Sequence, residues 1–468
     1  MRFELDSIGK IKVPHNRYWG AQTQRALFHF QIGQELIPQE IIIALALIKK
    51  AAAQVNCALG KLSPNKTKYI IRACDKILAK KLITDFPLTI WQSGSGTQTN
   101  MNINEVIANQ AIVFAKGKLG SKHPIHPNDD VNMSQSSNDV FSSAMHIAAH
   151  LAITKKLLPA LLFLRQELNQ LKKKFKSILK IGRTHLQDAL PMTLGQEFSG
   201  YVAQIDLAIK NIKSLLPHLQ KLPIGGTAIG TGLNAPPKFS KNMIVQLHKL
   251  TGLKFQPAPN NFCALASHDS LLITSSALKT LATALFKIAN DIRWLASGPR
   301  CGLGELILPN NEPGSSIMPG KVNPTQCEVM LMVCAQIIGN DSTVSFANSQ
   351  GNFELNVFKP LIIYNILQAI NLLSNACESF GRHALKNLKI NPQQLNNFVT
   401  KSLMLITALN PVIGYDKSCA IAKYAWHNNT SLKVANSKLG YLTAKEFDHW
   451  IQPKKLISSN AEYVNQKK

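Results

Sequence analysis

The sequence predicts a mainly α protein of three units, the middle one a bundle of unusually long helices. Three observations lead there. Breaker-poor stretches with helical periodicity run at about 138–178, 193–220, 268–298, 325–349 and 355–385, each 25 residues or longer. Several carry apolar side chains on more than one face, as Leu271, Leu272, Leu278, Leu281, Leu285 and Ile288 do, so they must pack against other helices on several sides. Apolar residues make up 45% of the 468 and charged residues only 17%, below the roughly 25% usual in soluble proteins. Such a chain buries a large core and is not a disordered one.

Taken in order, residues 1–35 are mixed, broken by Gly9, Pro14 and Gly20. A helix is expected over 38–59, shorter helical pieces to about 118, and a polar, proline-spotted loop over 119–139. The long helices follow, with Pro159 inside the first as a source of a kink. A final unit opens at Asn391-Pro392, where Asn410-Pro411 and Gly414 shorten the pattern. The expected divisions are 1–136, 137–391 and 392–468, with few strands and no internal repeat.

Charge is lopsided, with 52 Lys and Arg against 26 Asp and Glu, a net +26, and only nine of the bases are arginine. An excess of this kind attracts nucleic acid, anionic membrane or a small anionic substrate. The densest run, Lys172-Lys173-Lys174 with Lys176, lies inside a helical stretch and reads as a solvated face; the next is the terminal pair Lys467-Lys468. Zinc-finger spacing, an Arg-rich arm and basic-aromatic interleaving are all missing, so nucleic acid is not an expected partner. Eight cysteines lie far apart with no CxxC pair, the pattern of reduced thiols. The N-terminus has no apolar signal core, and the longest apolar run, Ile41 to Ile48, stops at Lys49-Lys50. A soluble cytoplasmic protein, not a membrane one, is expected.

Four segments have the makings of a site. In Gln92-Ser93-Gly94-Ser95-Gly96-Thr97-Gln98-Thr99-Asn100, hydroxyls alternate with glycines that let the backbone approach a carboxylate or phosphate. A loop like this is ordinarily a turn or cap. Ser134-Gln135-Ser136-Ser137-Asn138-Asp139 stands where the first long helix starts, and reads equally as an N-cap or as an anion site on a helix N-terminus. In Gly182-Arg183-Thr184-His185-Leu186-Gln187-Asp188 an imidazole, a side chain suited to proton exchange near neutral pH, sits among hydroxyl, amide and charged groups. Gly314-Ser315-Ser316-Ile317-Met318-Pro319-Gly320-Lys321-Val322-Asn323-Pro324 is a loop, with hydroxyls, an amine and an amide that can bind a carboxylate and stabilise an oxyanion, its glycines suiting a lid. Metal-ligand spacing, a dinucleotide fingerprint and a phosphate-binding loop are not found in the sequence.

The last loop resembles the signature of the fumarase/aspartase superfamily, and the other three segments match its remaining site regions in the same order. The likeness extends from Val13-Pro14 and Trp19-Gly20-Ala21-Gln22-Thr23-Gln24-Arg25 to Leu439-Gly440. Within it the details are similar to class II fumarate hydratases. Aspartases usually carry Gln at His185, Thr at Ser137 and Pro-Ala-Lys at Pro319-Gly320-Lys321; Thr325-Gln326-Cys327-Glu328 is likewise fumarase-like.

The resemblance implies a three-domain fold: an N-terminal lyase domain, a central bundle shared by four subunits, and a small helical C-terminal domain. Each active site would draw on three subunits. It implies reversible elimination of water from L-malate to fumarate, a tricarboxylic acid cycle step, through an aci-carboxylate and with no metal or organic cofactor. Carried over by position, Ser315 removes the C3 proton, and Lys321, Asn323 and loop N–H groups stabilise the doubly charged intermediate. His185, oriented by Glu328, helps protonate the departing hydroxyl; the division of base and acid between Ser315 and His185 stays open. Ser95, Gly96, Thr97, Ser136, Ser137, Asn138, Thr184, Ser316, Lys321, Val322 and Asn323 hold the substrate.

Many members also have a second dicarboxylate site, an arginine followed by a His-Pro-Asn-Asp turn. This chain keeps His126-Pro127-Asn128-Asp129 but has His123, beside Lys122, in the arginine's place, a titratable donor for a permanent one. Two other readings compete: an aspartate ammonia-lyase of the same superfamily, against which His185 and Gly320 argue, and a basic binding protein that kept the fold without the activity.

Overall fold

The computed structural model describes residues 1–457, so Lys467-Lys468 and the end of the expected 392–468 unit lie outside the described residues. Seventeen α-helices and five two-stranded ribbons are present among the described residues. The five expected long helices are Ser137–Lys174, Leu194–Leu219, Asp269–Leu295, Thr325–Asn348 and Lys359–Leu385. The first does not break at its proline. It widens into a π turn at Ile153–Leu157, because Pro159 lacks the N–H for the carbonyl of Lys155 and its ring crowds that oxygen.

Two compact units emerge from the packing: residues 1–160, 208–283 and 333–375 form one, and 161–207, 284–332 and 376 onward the other. In the first, the Gln39–Ala58 helix is buried on nearly every face, with Ile41, Leu45 and Ile48 fully enclosed. It packs on the Pro64–Leu78, Ser137–Ala152 and Phe239–Thr251 helices. The Thr97–Phe114 helix is buried with polar residues on it, and each has a structural use. Glu105 receives the N–H groups of Gly20, Gln22 and Thr23 at 2.8–3.1 Å and the Thr23 hydroxyl at 2.6 Å, capping the Ala21–His29 helix with a carboxylate from outside it. The Trp19-Gly20-Ala21-Gln22 motif thus builds a scaffold joint. A Cβ on Gly20 would meet the Glu105 carboxyl at 2.8 Å.

In the second unit, Phe175, Phe198 and Tyr201 stack edge to face beneath an antiparallel hairpin, Leu179–Thr184 with Gln187–Thr193. The final short helices start at Pro392–Lys401, where Asn391 accepts from the Gln394 N–H and Pro392 takes the first helical position. Leu405, Leu409, Ile421, Ala435 and Phe447 form the core of that stretch.

Five helices, including Gln39–Ala58 and Lys359–Leu385, are long and apolar enough to cross a membrane, which a search for unbroken apolar runs does not register. They carry buried Lys49, Asp139, His146, Asp341 and Lys359. Lys49, Asp139, Asp341 and Lys359 bond to polar groups of neighbouring segments, as in a protein interior.

Candidate active site

In the first unit, Gly96 takes φ +77° just ahead of the Thr97–Phe114 helix, and a Cβ there would strike the Phe141 ring at 2.4 Å. With that turn made, the Ser93, Ser95 and Thr97 hydroxyls run in a chain with 2.8 Å between neighbours. Gln92 folds back to accept from the Thr99 N–H and hydroxyl at 3.0 and 2.9 Å. Ser95 and Thr97 therefore stand fixed at the positive end of a helix, a setting suited to a carboxylate.

The second segment has the capping geometry of the first of its two readings. Ser136 caps the Ser137–Ala152 helix, and Asp139 reaches back to accept the Ser136 N–H at 2.9 Å, a complete capping box. The same residues tie in others. Asn138 donates to the Ala228 carbonyl at 2.7 Å, and Asp139 accepts from the Gly225 and Thr227 N–H groups at 2.8 and 3.1 Å. The glycine-rich 225–232 segment is thereby held against the helix start. Asn100 donates to the Ser137 hydroxyl at 3.0 Å. Beneath it, Asn132 Oδ1 accepts from Lys49, Asn100 and Asn104 at 2.8, 3.1 and 3.2 Å. Burial draws Lys49 down to about 7, against the pull of Asp139, and burial raises Asp139 to about 6 despite its N–H donors.

In the second unit, Thr184 pairs with Gln187, leaving His185 and Leu186 as a two-residue hairpin loop. Both are left-handed, at φ +55° and +60°, a geometry that Asn-Gly ordinarily supplies. Each L-residue there costs about 1 kcal/mol, and strain of this kind concentrates where a side chain must be aimed. Thr184 and His185 are exposed, and among the described residues no hydrogen bond joins His185 to Glu328 or to any other group of its own chain. The hairpin's base is rigid by contrast: Glu305, fully buried, receives Arg183 at 2.6 Å and faces Lys180 at 3.5 Å.

The 314–324 loop has a tied neck. Asn323 donates to the Gly314 carbonyl, and a Cβ on Gly314 would meet the Lys321 carbonyl at 1.8 Å. Between them Ser315 Oγ accepts from the Ile317 and Met318 N–H groups at 3.2 and 3.0 Å, donors that favour a negative charge on that oxygen. Ser316, Lys321 and Val322 are exposed, as is Glu328 in the first turn of Thr325–Asn348. The loop borders a cavity of about 480 Å³ lined by Glu312, Gly314, Ser315, Met318, Gly320 and Lys321.

At the expected second site, His126 Nδ1 accepts from the Asn128 and Asp129 N–H groups at 3.2 Å each, capping a π turn at Pro127–Val131. Those N–H groups are the donors an anion there would seek, and the exposed Asp129 carboxylate lies 3.3 Å from the ring. Among the described residues, no three His, Cys, Asp or Glu side chains converge as metal ligands would.

Comparison with known proteins bears directly on this geometry. The family described as Lyase matches residues 9–339, and the one described as Fumarase C C-terminus matches residues 405–458. The fumarate hydratase class II of Thermosynechococcus vestitus is 59% identical over 96% of this chain and 97% of its own length. The chain belongs to the class II fumarate hydratase family. The Helicobacter pylori (strain J99) fumarate hydratase class II is 55% identical over 98% of this chain and 99% of its own length. The crystal structure of a class II fumarase from Schistosoma mansoni superposes with a TM-score of 0.95 at 45% identity, covering 97% of this chain and 98% of that one. A class II fumarate hydratase is a lyase, as the resemblance implied, and the chain is mainly helical, as the long apolar helices led one to expect.

Several residues that shape the site escape a motif search. Lys49 reads in sequence as the end of an apolar run, yet it is buried mid-helix under the 132–138 segment. Asn104 and Asn132 are ordinary polar letters until packing gathers them with Lys49 and Asn100. The one local signal was polar residues on a helix otherwise patterned for burial, which calls for partners. Lys359 carried no signal beyond a basic letter before a proline.

Proposed function

We propose that this chain interconverts L-malate and fumarate, with Ser315 and His185 as the proton carriers. Ser315 Oγ takes the C3 proton, the C–O bond at C2 breaks, and the hydroxyl leaves as water with a proton supplied through His185. The aci-carboxylate formed on the way is stabilised by Lys321, Asn323 and loop N–H groups, while Ser95, Gly96, Thr97, Ser136, Ser137, Asn138, Thr184, Ser316 and Val322 hold the two carboxylates. Neither metal nor organic cofactor takes part in this scheme. The observation that carries it is Ser315 Oγ receiving two N–H groups at 3.0–3.2 Å, an arrangement that lowers the cost of an alkoxide base.

The working form in this proposal is a cytoplasmic homotetramer with each site drawn from three subunits, built on domains 1–136, 137–391 and 392–468. In its support, His185 and Glu328 stand exposed and unbonded to each other, and long helices leave Ile273, Phe286, Met332 and Phe346 uncovered, Met332 and Phe346 by 64 and 66%. At the 126–129 turn, an anion would have to displace the His126 ring from the Asn128 and Asp129 N–H groups.

Adding L-malate and following fumarate absorbance tests the reaction. Malate should give fumarate and L-aspartate little or none, since an ammonium beside Lys321 would be repelled. Comparable turnover of both would overturn the assignment.

A further inference from the structure

Lys359 stands outside every segment singled out above, yet it touches two of them. Its backbone N–H donates to the Gly94 carbonyl at 2.9 Å, and its ammonium donates to the Asn138 carbonyl at 3.2 Å. Its side chain is fully buried. The fit around it is specific. A Cβ on Gly94 would fall 1.3 Å from the Val357 carbonyl, so the 357–359 segment seats only because residue 94 is glycine. Asn356 accepts from the Phe358 N–H through Oδ1 at 2.8 Å and donates through Nδ2 to the Ala347 carbonyl at 3.0 Å, fixing the chain just before the Lys359–Phe380 helix. One residue therefore holds the 92–100 loop and the start of the Ser137–Ala152 helix at a set separation.

Its charge has few local competitors. Asp139 lies on the helix that Lys359 contacts, His268 faces Lys359 from a neighbouring segment, and His146, on the helix of Asp139, neighbours His268. Both imidazoles are buried and pushed towards their neutral forms by that burial. One carboxylate, Asp139, thus faces two buried amines, Lys359 and Lys49, behind hydroxyls that carry no charge of their own. Burial pulls Lys359 down to about 7, and a dianion arriving nearby would favour its charged form.

We propose that Lys359 is a substrate-positioning residue: it clamps the two carboxylate-binding segments together and supplies buried positive charge that a dicarboxylate senses through them. The inference rests on reading Ser95, Thr97 and Ser136 to Asn138 as carboxylate ligands.

The test compares Lys359→Gln, Lys359→Arg, Thr97→Ala and Asn138→Ala as full-length chains, with melting temperature measured alongside kinetics on malate. Lys359→Gln keeps a donor without charge and should raise KM about tenfold or more while kcat stays within about threefold. Lys359→Arg should bring KM back to within about threefold of the unmodified value. Inhibition by a four-carbon dicarboxylate should weaken more in Lys359→Gln than inhibition by a monocarboxylate of equal length. An unchanged KM in Lys359→Gln, or equal losses in the Gln and Arg variants with a matching fall in melting temperature, would overturn the proposal and leave Lys359 a packing residue. If Thr97→Ala and Asn138→Ala leave KM unmoved, the carboxylate-ligand reading itself fails. If they raise it while Lys359→Gln does not, only the role of Lys359 fails.

Discussion

In the first compact unit the residues read as carboxylate ligands are locked by their own chain, whereas in the second His185 stands exposed and Ser315 is half-buried on a solvent-facing loop. Ser95 and Thr97 are held by a hydroxyl chain and a left-handed glycine, and Ser137 by a buried asparagine backed by Lys49. His185 rides on a hairpin tip, and Ser315 on a loop whose neck is tied while Ser316 to Val322 face solvent. The contrast fits the roles proposed for each half. Binding a fixed dianion benefits from groups whose geometry is set beforehand, so that little entropy is lost on binding. Proton carriers must reach the reacting carbon and shed water around it, and this favours aimed, projecting side chains.

The sharpest way to break that contrast is to remove the projecting groups. Ser315→Ala should lower turnover by about two to four orders of magnitude with a far smaller change in KM; a variant that keeps most of its turnover would take Ser315 out of the base role. His185→Gln should reduce malate turnover about a hundredfold or more without producing a good aspartase, because its neighbours are unaltered. If the two residues of one site come from different chains, mixing the two inactive variants and allowing subunit exchange should restore part of the activity. Full activity in a well-characterised monomer would show that one chain suffices.

A gentler effect is expected in the locked half. Burial holds Lys49 at about 7 in the folded chain against the ordinary lysine value of 10.5, so between those two pH values the unfolded chain binds the extra proton. Stability contributed by this group must rise as pH rises from about 7 towards 10.5. Urea unfolding across that range should therefore show the unmodified protein gaining on Lys49→Met with increasing pH. A constant difference between the two would mean that Lys49 is charged throughout.

Much of this was legible in the letters. Long apolar helices, the Asn391-Pro392 helix start and the four site segments in order all follow from periodicity, capping chemistry and motif, which are local. The loop around Ser315 was readable because two prolines and two glycines exclude a helix. What stayed hidden depends on enclosure. Glu105 at the N–H groups of Gly20 and Thr23, Lys49 under the 132–138 segment and Lys359 between Gly94 and Asn138 connect residues 82 to 265 positions apart.

The sequence by itself determined the helical class, the family and the kinds of side chain available for proton transfer and carboxylate binding. Periodicity and motif are properties of neighbouring residues, and they survive in a string of letters. Only the tertiary structure decided that His185 sits in a strained two-residue turn rather than an ordinary loop, and that the His126 ring occupies the N–H groups of its own turn. It also decided that Lys49, Lys180 and Lys359 are sealed inside. A lysine is soluble and unremarkable until packing removes its water, and packing is set by segments far apart in the chain.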